Sequence, residues 1–280
     1  MNCLGLPVPV PGLRRRLQAL GHALATAGAD VACLQEVGRW RHLALLRHDE
    51  TVWPVAIALQ YPYAPKGGLV TLARIPVTET GYSTFRERGR RVGMHAPERI
   101  QGKGILRIVI EAGERHVVVL NTHLAANYSA RWSYTNPYAR VERAQLRELA
   151  AAVQAVPSET MVVVAGDLNV PRGSWLYHEF LLEAGLYDPM SESTEPTYRP
   201  LGGMPARAAQ ALDHVLVRSP KDCAVIASAD LCFGEPVRLA HGLTGYLSDH
   251  LGVRLTLTWK EAPPTAPDPE PMPTTSSTTQ

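Results

Sequence analysis

Side chains that can bind a cation or transfer a proton recur in this sequence at the ends of apolar segments, most of which are predicted strands. Half of them are carboxylates, and the others are histidines and side-chain amides. They are Asn2, Glu36, His123, Asp167, Asn169, Asp213, Asp249 and His250. Apolar strands that end together deliver such residues to one rim, where the connecting loops can form a functional site.

Glu36 follows the apolar residues 31–35, which are predicted to form a buried strand. An ionised carboxylate at the end of a buried strand is costly unless it is paired or bound to a metal. Carboxylate oxygens suit Mg²⁺ or Mn²⁺, which often bind one or two protein carboxylates together with substrate phosphate and water. Taken alone, Glu36 is equally consistent with a helix N-cap or an exposed loop residue.

Asp167 and Asn169 are two residues apart, and in an extended chain two such side chains point to the same side. Gly166 precedes them and permits a close approach of the backbone to another group. The pattern is consistent with a shared ligand, and equally with an Asx turn that closes the strand.

His123 and His250 each follow an apolar segment or a turn, where a lone histidine is more often structural than catalytic. Asp249 precedes His250, and Asp213 offers a second carboxylate partner. A carboxylate on one imidazole nitrogen fixes the tautomer and raises the basicity of the ring, which suits a general base near neutral pH. For Asp213, the alternative is a strand-end acid whose oxygens accept from backbone amides.

Each signal is weak alone, but together they form six short motifs in a definite order. The motifs are Asn-Cys-x-Gly, Leu-Gln-Glu-Val, Asn-Thr-His-Leu, Gly-Asp-Leu-Asn, Leu-Asp-His-Val and Ser-Asp-His. This series resembles the endonuclease/exonuclease/phosphatase superfamily, which has the deoxyribonuclease I-like fold, over roughly residues 1–258. The resemblance implies the α/β class, as a four-layer α/β sandwich of two facing mixed β-sheets flanked by helices. Two features depart from the superfamily: His214 stands where tyrosine is common, and the first strand has almost no residues before Asn2.

The resemblance also implies catalytic roles. His250 resembles the general base, Asp213 its orienting carboxylate, and His123 the histidine that contacts the scissile phosphate. Asp167 and Asn169 resemble the pair that orients the attacking water and a phosphate oxygen.

A metal site is implied by the same resemblance. Glu36 resembles the main metal-binding glutamate, Asn2 the asparagine beside it, and Asp249 the neighbouring acid near metal and phosphate. The implied cofactor is Mg²⁺ or Mn²⁺. The implied reaction is in-line attack of water on phosphorus, in which the cation and His123 neutralise the charge that grows on the phosphoryl oxygens.

The substrate implied by the resemblance is a phosphodiester, either in a lipid headgroup or in a nucleic acid. Residues 2–7 and 121–128 are similar to the corresponding segments of neutral sphingomyelinases, which implies cleavage of a phosphocholine lipid. A metal-dependent endonuclease or exonuclease on DNA or RNA is the first alternative. A non-catalytic scaffold of the same fold is the second, and the completeness of the catalytic set argues against it.

Two loops bear on these alternatives. The aromatic residues of loop 127–138 suit contact with a membrane surface, a choline cage or stacking on nucleobases, although ordinary loop packing explains them as well. They are Tyr128, Trp132, Tyr134 and Tyr138. The arginines of residues 86–103 could contact anionic headgroups or a nucleic-acid backbone, or could simply be solvated.

The elements that position these residues follow from apolar periodicity. Helices are predicted at residues 11–28, 39–48 and 138–155, and strands at 30–37, 55–59, 69–73, 105–111, 116–121, 161–165, 212–217, 222–228 and 252–258. Residues 81–103 are predicted to form a basic loop. The irregular alternation of helices and strands, with several hairpins, favours a mixed, layered α/β fold.

Composition limits the remaining possibilities. Hydrophobic residues make up 45% of the 280, enough for a sizeable core, and we expect residues 1–260 to form the catalytic domain. Residues 261–280 are rich in Pro and Thr and are expected to be a disordered tail. The net charge of +2 is too small to indicate nucleic-acid binding by itself. The four cysteines form no CxxC pair, so neither a disulfide framework nor a zinc site is predicted.

Membrane and targeting signals are weak in this sequence. No stretch of 18 apolar residues occurs, so no transmembrane segment is predicted. The N-terminus lacks a charged segment followed by a continuous apolar run, and a cytoplasmic location is therefore expected, which an upstream start would change.

Overall fold

The computed structural model describes residues 1–5, 12–89, 96–199, 209–221, 223, 225–239 and 244–260. The predicted tail, residues 261–280, lies outside the described residues, and so do Arg90 and Arg91 of the predicted basic loop.

Helices and strands alternate irregularly along the described chain. The helices are α1 (Leu13–Thr26), α2 (Trp40–Arg47), α3 (Ala96–Gln101), α4 (Pro137–Gln154) and α5 (Trp175–Ala184). The strands are β1 (Asn2–Gly5), β2 (Val31–Val37), β3 (Val55–Ile57), β4 (Val70–Ala73), β5 (Val77–Thr84), β6 (Gly104–Ala112), β7 (Arg115–His123), β8 (Met161–Asp167), β9 (Asp213–Arg218), β10 (Val225–Cys232), β11 (Val237–Arg238), β12 (Thr244–Gly245) and β13 (Gly252–Trp259).

Both larger sheets are mixed. The five-stranded sheet has the order β5-β6-β7-β8-β9, in which β7 and β8 are parallel and the other neighbours antiparallel. The four-stranded sheet has the order β1-β2-β4-β3, in which only β1 and β2 are parallel. Strands β10 and β13 form a separate antiparallel pair, and β11 and β12 a short one.

Strand β8 shows why the core has layers. Val162 and Val164 pack in a cluster with α4 and α5, whereas Val163 and Ala165 pack in a second cluster between the sheets. A strand that is covered on both faces has a continuous apolar sequence, as this one has. A third cluster joins α1 and α2 to the four-stranded sheet. The layers are therefore helix, sheet, sheet and helix, and the predicted four-layer sandwich is confirmed.

One buried polar side chain connects the two sheets. Asn121 of β7 donates from Nδ2 to the Val70 carbonyl oxygen of β4 at 2.9 Å. Its Oδ1 accepts from Gln35 Nε2 of β2 at 2.7 Å. Asn121 and Gln35 are both fully buried, so these hydrogen bonds fix how the two sheets lie against each other.

The long helices begin at local sequence signals. Asn136 caps α4, because its side chain accepts from the N–H groups of Tyr138 and Ala139, and Pro137 occupies the first turn. Ser174 caps α5 in the same way. No described helix is both long enough and apolar enough to cross a bilayer.

One sequence-based prediction of local structure was wrong, and one helix had no prediction. The predicted loop 81–103 contains the last residues of β5 and the whole of α3. Strand β5 lies at the edge of its sheet with largely exposed side chains, so it lacks an apolar alternation. Helix α5 was not predicted, because Leu182 on its exposed face blurs the amphipathic pattern.

Gly166 provides a test of the packing between β7 and β8. A Cβ atom at this position would collide with the carbonyl oxygen of Thr122, its partner in the parallel ladder. We therefore expect Gly166→Ala to lower the free energy of unfolding by about 1–3 kcal/mol, measured by urea denaturation. The control is Gly81→Ala in β5, where no atom lies near the added Cβ; equal losses in the two variants would contradict this account.

Candidate active site

Three neighbouring strands bring predicted site residues side by side. In the strand register, His123 of β7 pairs with Asp167 of β8, and Asp167 pairs with Asp213 of β9. Because β7 and β8 are parallel, their last residues meet at one edge of the sheet. Strand β9 is antiparallel to β8, so it contributes its first residue to the same edge.

Asp167 is the centre of the cluster. Its Oδ2 accepts from Asn2 Nδ2 at 3.0 Å and lies 3.6 Å from His123 Nε2 and 3.8 Å from His250 Nε2. Its Oδ1 accepts from the backbone N–H of Asn169 at 2.9 Å. This contact is the Asx turn that the sequence left open, and it helps to fix the carboxylate.

Glu36 reaches Asp167 from the other sheet through Asn2. The Asn2 amide nitrogen donates to Glu36 Oε1 at 3.0 Å as well as to Asp167. The Asn2 amide oxygen accepts from the Leu4 N–H at 2.9 Å. In this arrangement the Asn2 amide nitrogen donates to both acids, whereas the Asn2 amide oxygen is occupied by its hydrogen bond from the Leu4 N–H.

The backbone at two site residues has an unusual conformation. Glu36 has φ of 57° and Asn169 has φ of 53°, in the left-handed region that residues other than glycine seldom adopt. The register between β1 and β2 shifts between Asn2 and Gly5, which is a bulge beside Glu36. Such conformations cluster at functional sites, where they aim a side chain away from the regular strand alternation.

Glu36 and Asp249 are acids in an unfavourable environment. Burial raises the pKa of Glu36, Asp167 and Asp249 raise it further, and the hydrogen bond from Asn2 only partly opposes them. Burial also raises the pKa of Asp249. Glu36 Oε2 is enclosed and has no hydrogen-bond partner among the described residues. These oxygens therefore have the properties of ligands for a hard cation.

His250 and Asp213 form a buried hydrogen-bonded pair. His250 Nδ1 lies 2.8 Å from Asp213 Oδ2. Burial alone would lower the pKa of His250, but Asp213 and Asp167 outweigh it and raise the pKa to about 10. Burial alone would raise the pKa of Asp213, but the charge and hydrogen bond of His250 lower it. The pair is thus an imidazolium and a carboxylate in the metal-free protein.

His123 is held in the neutral form by its surroundings. Burial, followed by the Lys103 ammonium, lowers the pKa of His123 to about 3. Lys103 Nζ lies 3.1 Å from His123 Nε2. An ammonium can only donate, so Nε2 accepts and Nδ1 carries the ring proton. His123 and Asp167 are therefore not an ion pair despite their proximity.

Lys103 is a site residue that sequence reasoning missed. It was counted only among the loop cations, yet it is buried and donates to Glu98 Oε1 at 3.1 Å and to the Leu124 carbonyl at 2.7 Å. The signal was its position just before β6, the antiparallel partner of β7. The start of β6 must lie beside the end of β7, where His123 is.

The cluster lines a cleft of about 1100 Å³. All the predicted site residues except Asn2 and Asp213, which lie directly behind them, line this space. Tyr128 and Trp132 of the aromatic loop also line it, whereas Tyr134 stacks on Trp175 at 4.1 Å between ring centroids. His214, at the common tyrosine position, is buried and lies 2.8 Å from the Val170 carbonyl oxygen, in keeping with a packing role.

Two groups of atoms in or directly behind the cleft could hold a cation. Asp167, Asp213 and His250 each offer a ligand atom, and these atoms lie within 4.8 Å of one another. However, the His250 and Asp213 atoms already hydrogen-bond each other. A cation would stabilise the ionised forms of Glu36 and Asp249, which burial disfavours. Their carboxylate oxygens are therefore the better candidates for ligands.

The four-layer sandwich with an acidic rim defines a deoxyribonuclease I-like α/β protein. A model of the endonuclease/exonuclease/phosphatase family matches residues 1–250, and the chain belongs to that family. The resemblance drawn from the six motifs is confirmed.

Particular relatives are similar to this chain over different spans. An inositol phosphosphingolipids phospholipase C from Saccharomyces cerevisiae is 30% identical over 172 residues, which are 57% of this chain and 33% of the yeast protein. The chain thus spans about a third of that relative, and matches to sphingomyelinases C are also partial.

Solved structures share the fold over most of the chain. A Staphylococcus aureus beta toxin variant with bound magnesium ions has a TM-score of 0.69 at 17% identity, covering 91% of this chain and 97% of its own. Zebrafish (D. rerio) TDP2, complexed with a single-strand DNA product, has a TM-score of 0.68 at 18% identity, covering 91% and 95%. At this identity the likeness establishes the fold.

A thermal-shift measurement tests the cation site. The raised pKa of Glu36 means that its ionised form destabilises the metal-free fold above pH 4.5, its ordinary value. We therefore expect Glu36→Gln to raise Tm at pH 7 in EDTA. Excess Mg²⁺ should raise Tm of the wild type and have little effect on this variant.

The matched control for this measurement is Glu111→Gln, an exposed glutamate near the far end of β6. It should respond to Mg²⁺ as the wild type does. A Mg²⁺ shift that survives in Glu36→Gln would contradict the assignment of Glu36 to the cation.

Proposed function

We propose that this chain is a divalent-metal-dependent phosphodiesterase that hydrolyses its substrate with a water molecule activated by His250. The observation that carries the proposal is the convergence of His250, His123 and Asn2 on Asp167 within 4 Å. We further propose that residues 1–260 form the catalytic unit.

His250 is the proposed general base. Its Nδ1 is held by Asp213, which leaves Nε2, on the side of Asp167, to take a proton from water. In the metal-free protein the surrounding acids raise the pKa of His250 to about 10. Positive charge held by Glu36 and Asp249 would offset these acids and lower the pKa of His250 toward the range that suits a base.

His123 and Lys103 are the proposed stabilisers of negative charge. Both are buried, and the hydrogen bond between them orients the imidazole. The three N–H groups of Lys103 are already donated to Glu98, His123 and Leu124, so Lys103 would act through its positive charge, which is strong in a site of low dielectric, and not as a free donor. This positive charge, beside the oriented imidazole of His123, would stabilise the negative charge that develops on the phosphoryl oxygens.

Mg²⁺ or Mn²⁺ fits the acids on this rim. Glu36 and Asp249 would hold the ion, with Asn2 beside them, because burial disfavours both carboxylates and one Glu36 oxygen has no partner among the described residues. When bound, the cation supplies Lewis-acid stabilisation of a phosphoryl oxygen. The magnesium named for the beta toxin variant supports this choice of ion.

A sphingolipid-type phosphodiester is the proposed substrate class. The yeast relative is named for inositol phosphosphingolipids, and other matches are named sphingomyelinases. The nucleic-acid alternative rests on the fold shared with TDP2 and its DNA product. The scaffold alternative does not explain the strained backbone of Glu36 or the close grouping of acids whose ionised forms are disfavoured.

Replacement of His250 tests the reaction. We expect His250→Ala to lower kcat on bis-p-nitrophenyl phosphate with Mg²⁺ by about 10²–10⁴-fold, because the general base is lost while the fold remains. EDTA should abolish wild-type turnover. The control is His116→Ala, an exposed histidine near the far end of β7.

The outcomes of this assay separate the alternatives. Metal-dependent turnover that persists in His250→Ala would contradict the assignment of His250 as the general base. Absence of turnover in the wild type would favour the scaffold. Release of phosphocholine from sphingomyelin vesicles, compared with cleavage of single-stranded DNA, decides between the two substrate classes.

The mouth of the cleft suits a bilayer surface. Tyr63 and Ile100, on different segments that line the cleft, are 85% and 74% exposed. Tyr61 and Tyr128 line the same mouth and are also exposed. Aromatic side chains favour the membrane interface, and the exposed Arg131 beside them complements anionic headgroups. We propose a peripheral membrane contact at this rim.

Vesicle sedimentation tests the membrane contact. We expect Tyr63→Ser combined with Ile100→Ser to weaken binding to sphingomyelin/phosphatidylserine vesicles at least about fivefold, since two apolar side chains are lost from the interface. Leu182→Ser is the matched control, because Leu182 is also 85% exposed and does not line the cleft. Equal binding by all variants would refute the contact.

A further inference from the structure

A buried hydroxyl outside the six sequence motifs contacts the catalytic pair. Thr197 has no exposed surface, and its Oγ1 lies 2.6 Å from Asp213 Oδ2. The same Oγ1 accepts from the backbone N–H groups of Leu212 and Asp213, each at 2.9 Å. Thr197 lies in an irregular segment between α5 and β9 that has no apolar period.

The direction of the Thr197 hydrogen follows from counting donors and acceptors. A threonine hydroxyl has one proton and two lone pairs. The two backbone N–H groups occupy the lone pairs, so the proton must be donated to Asp213 Oδ2. Asp213 Oδ2 therefore accepts hydrogen bonds from both Thr197 Oγ1 and His250 Nδ1. Asp213 Oδ1 has no hydrogen-bond partner among the described residues.

Two donors on one carboxylate oxygen restrict rotation of the Asp213 side chain. Without Thr197, the carboxylate could turn and offer either oxygen to His250. A buried hydroxyl that donates to a charged acceptor makes one of the stronger kinds of hydrogen bond. Thr197 therefore sets the plane of the carboxylate on which the His250 ring depends.

The backbone around Thr197 also connects the two halves of the pair. The Thr197 N–H donates to the Gln210 carbonyl at 3.0 Å, near the start of β9. The Thr197 carbonyl accepts from the Leu251 N–H at 2.7 Å, and the Arg199 N–H donates to the Asp249 carbonyl at 2.7 Å. One short segment thus holds the chain before Asp213 and the chain around His250.

We propose that Thr197 is a positioning residue for the hydrolysis, which orients the Asp213 carboxylate and through it the His250 ring. This inference rests on the function proposed above. Thr197 does not contact the reacting atoms, and its effect passes through Asp213.

The experiment is a double-mutant cycle between Thr197 and Asp213, with kcat and KM measured on bis-p-nitrophenyl phosphate with Mg²⁺. We expect Thr197→Val, which keeps the shape and removes the hydroxyl, to lower kcat about 10–100-fold and to leave KM nearly unchanged. Thr197→Ser should retain kcat within about threefold, because the donor remains. The control is Thr78→Val in β5, which removes a hydroxyl that donates to the Val109 carbonyl at the end of the sheet away from the cleft.

The cycle separates positioning from a structural role. If Thr197 acts through Asp213, adding Thr197→Val to Asp213→Asn should change kcat less than about threefold. Effects that multiply in the double variant would overturn the proposal, and so would a defect in Thr197→Ser equal to that in Thr197→Val. Unfolding of Thr197→Val, measured by circular dichroism, would likewise assign the residue to the fold alone. An inactive wild type would instead contradict the proposed function.

Discussion

Crowding of buried and half-buried acids at one edge of a β-sandwich is the constraint on which the rest of this molecule depends. Glu36, Asp167, Asp213 and Asp249 meet around one cleft, where water solvates them poorly. Glu36 and Asp249 respond with raised pKa values, whereas Asp213 stays ionised because His250 beside it is protonated. Such an arrangement is tolerable only with compensating positive charge, and a hard cation is the compensation that carboxylate oxygens accept best.

The two sheets must lie in a fixed relation for these acids to meet. Glu36 belongs to one sheet and Asp167 to the other, and Asn2 donates to both. Below them, Gln35 and Asn121 form a fully buried hydrogen bond between the sheets. Because an unpaired amide in this layer would be costly, the polar pair specifies one alignment of two otherwise apolar faces. The geometry of the site is thereby set directly below the rim, one residue before Glu36 and two residues before His123.

Opposite electrostatic environments within a few ångströms give the two histidines different properties. Lys103 and burial keep His123 neutral, whereas the acids around His250 keep it protonated until positive charge offsets them. In the proposed hydrolysis, His250 would accept the proton of the attacking water, and the positive charge of Lys103 beside His123 would stabilise the phosphoryl oxygens. The proposed membrane contact at the mouth of the cleft would let the protein reach a lipid phosphodiester while the lipid stays in its bilayer.

The sequence alone determined the residues of the rim and the family, because apolar strands end at chemically distinctive side chains in a recognisable order. Asp167 and His250 could be placed on the rim in this way, and the layered α/β class followed from the same strands. Lys103 and Thr197 were decided only by tertiary structure. Lys103 enters the site because β6 runs antiparallel to β7, and Thr197 because a segment without periodicity folds between β9 and the loop of His250. The spacing of residues along a chain predicts which side of a strand each side chain faces. The pairing between distant segments, which determines what that side chain contacts, is established only by the tertiary structure.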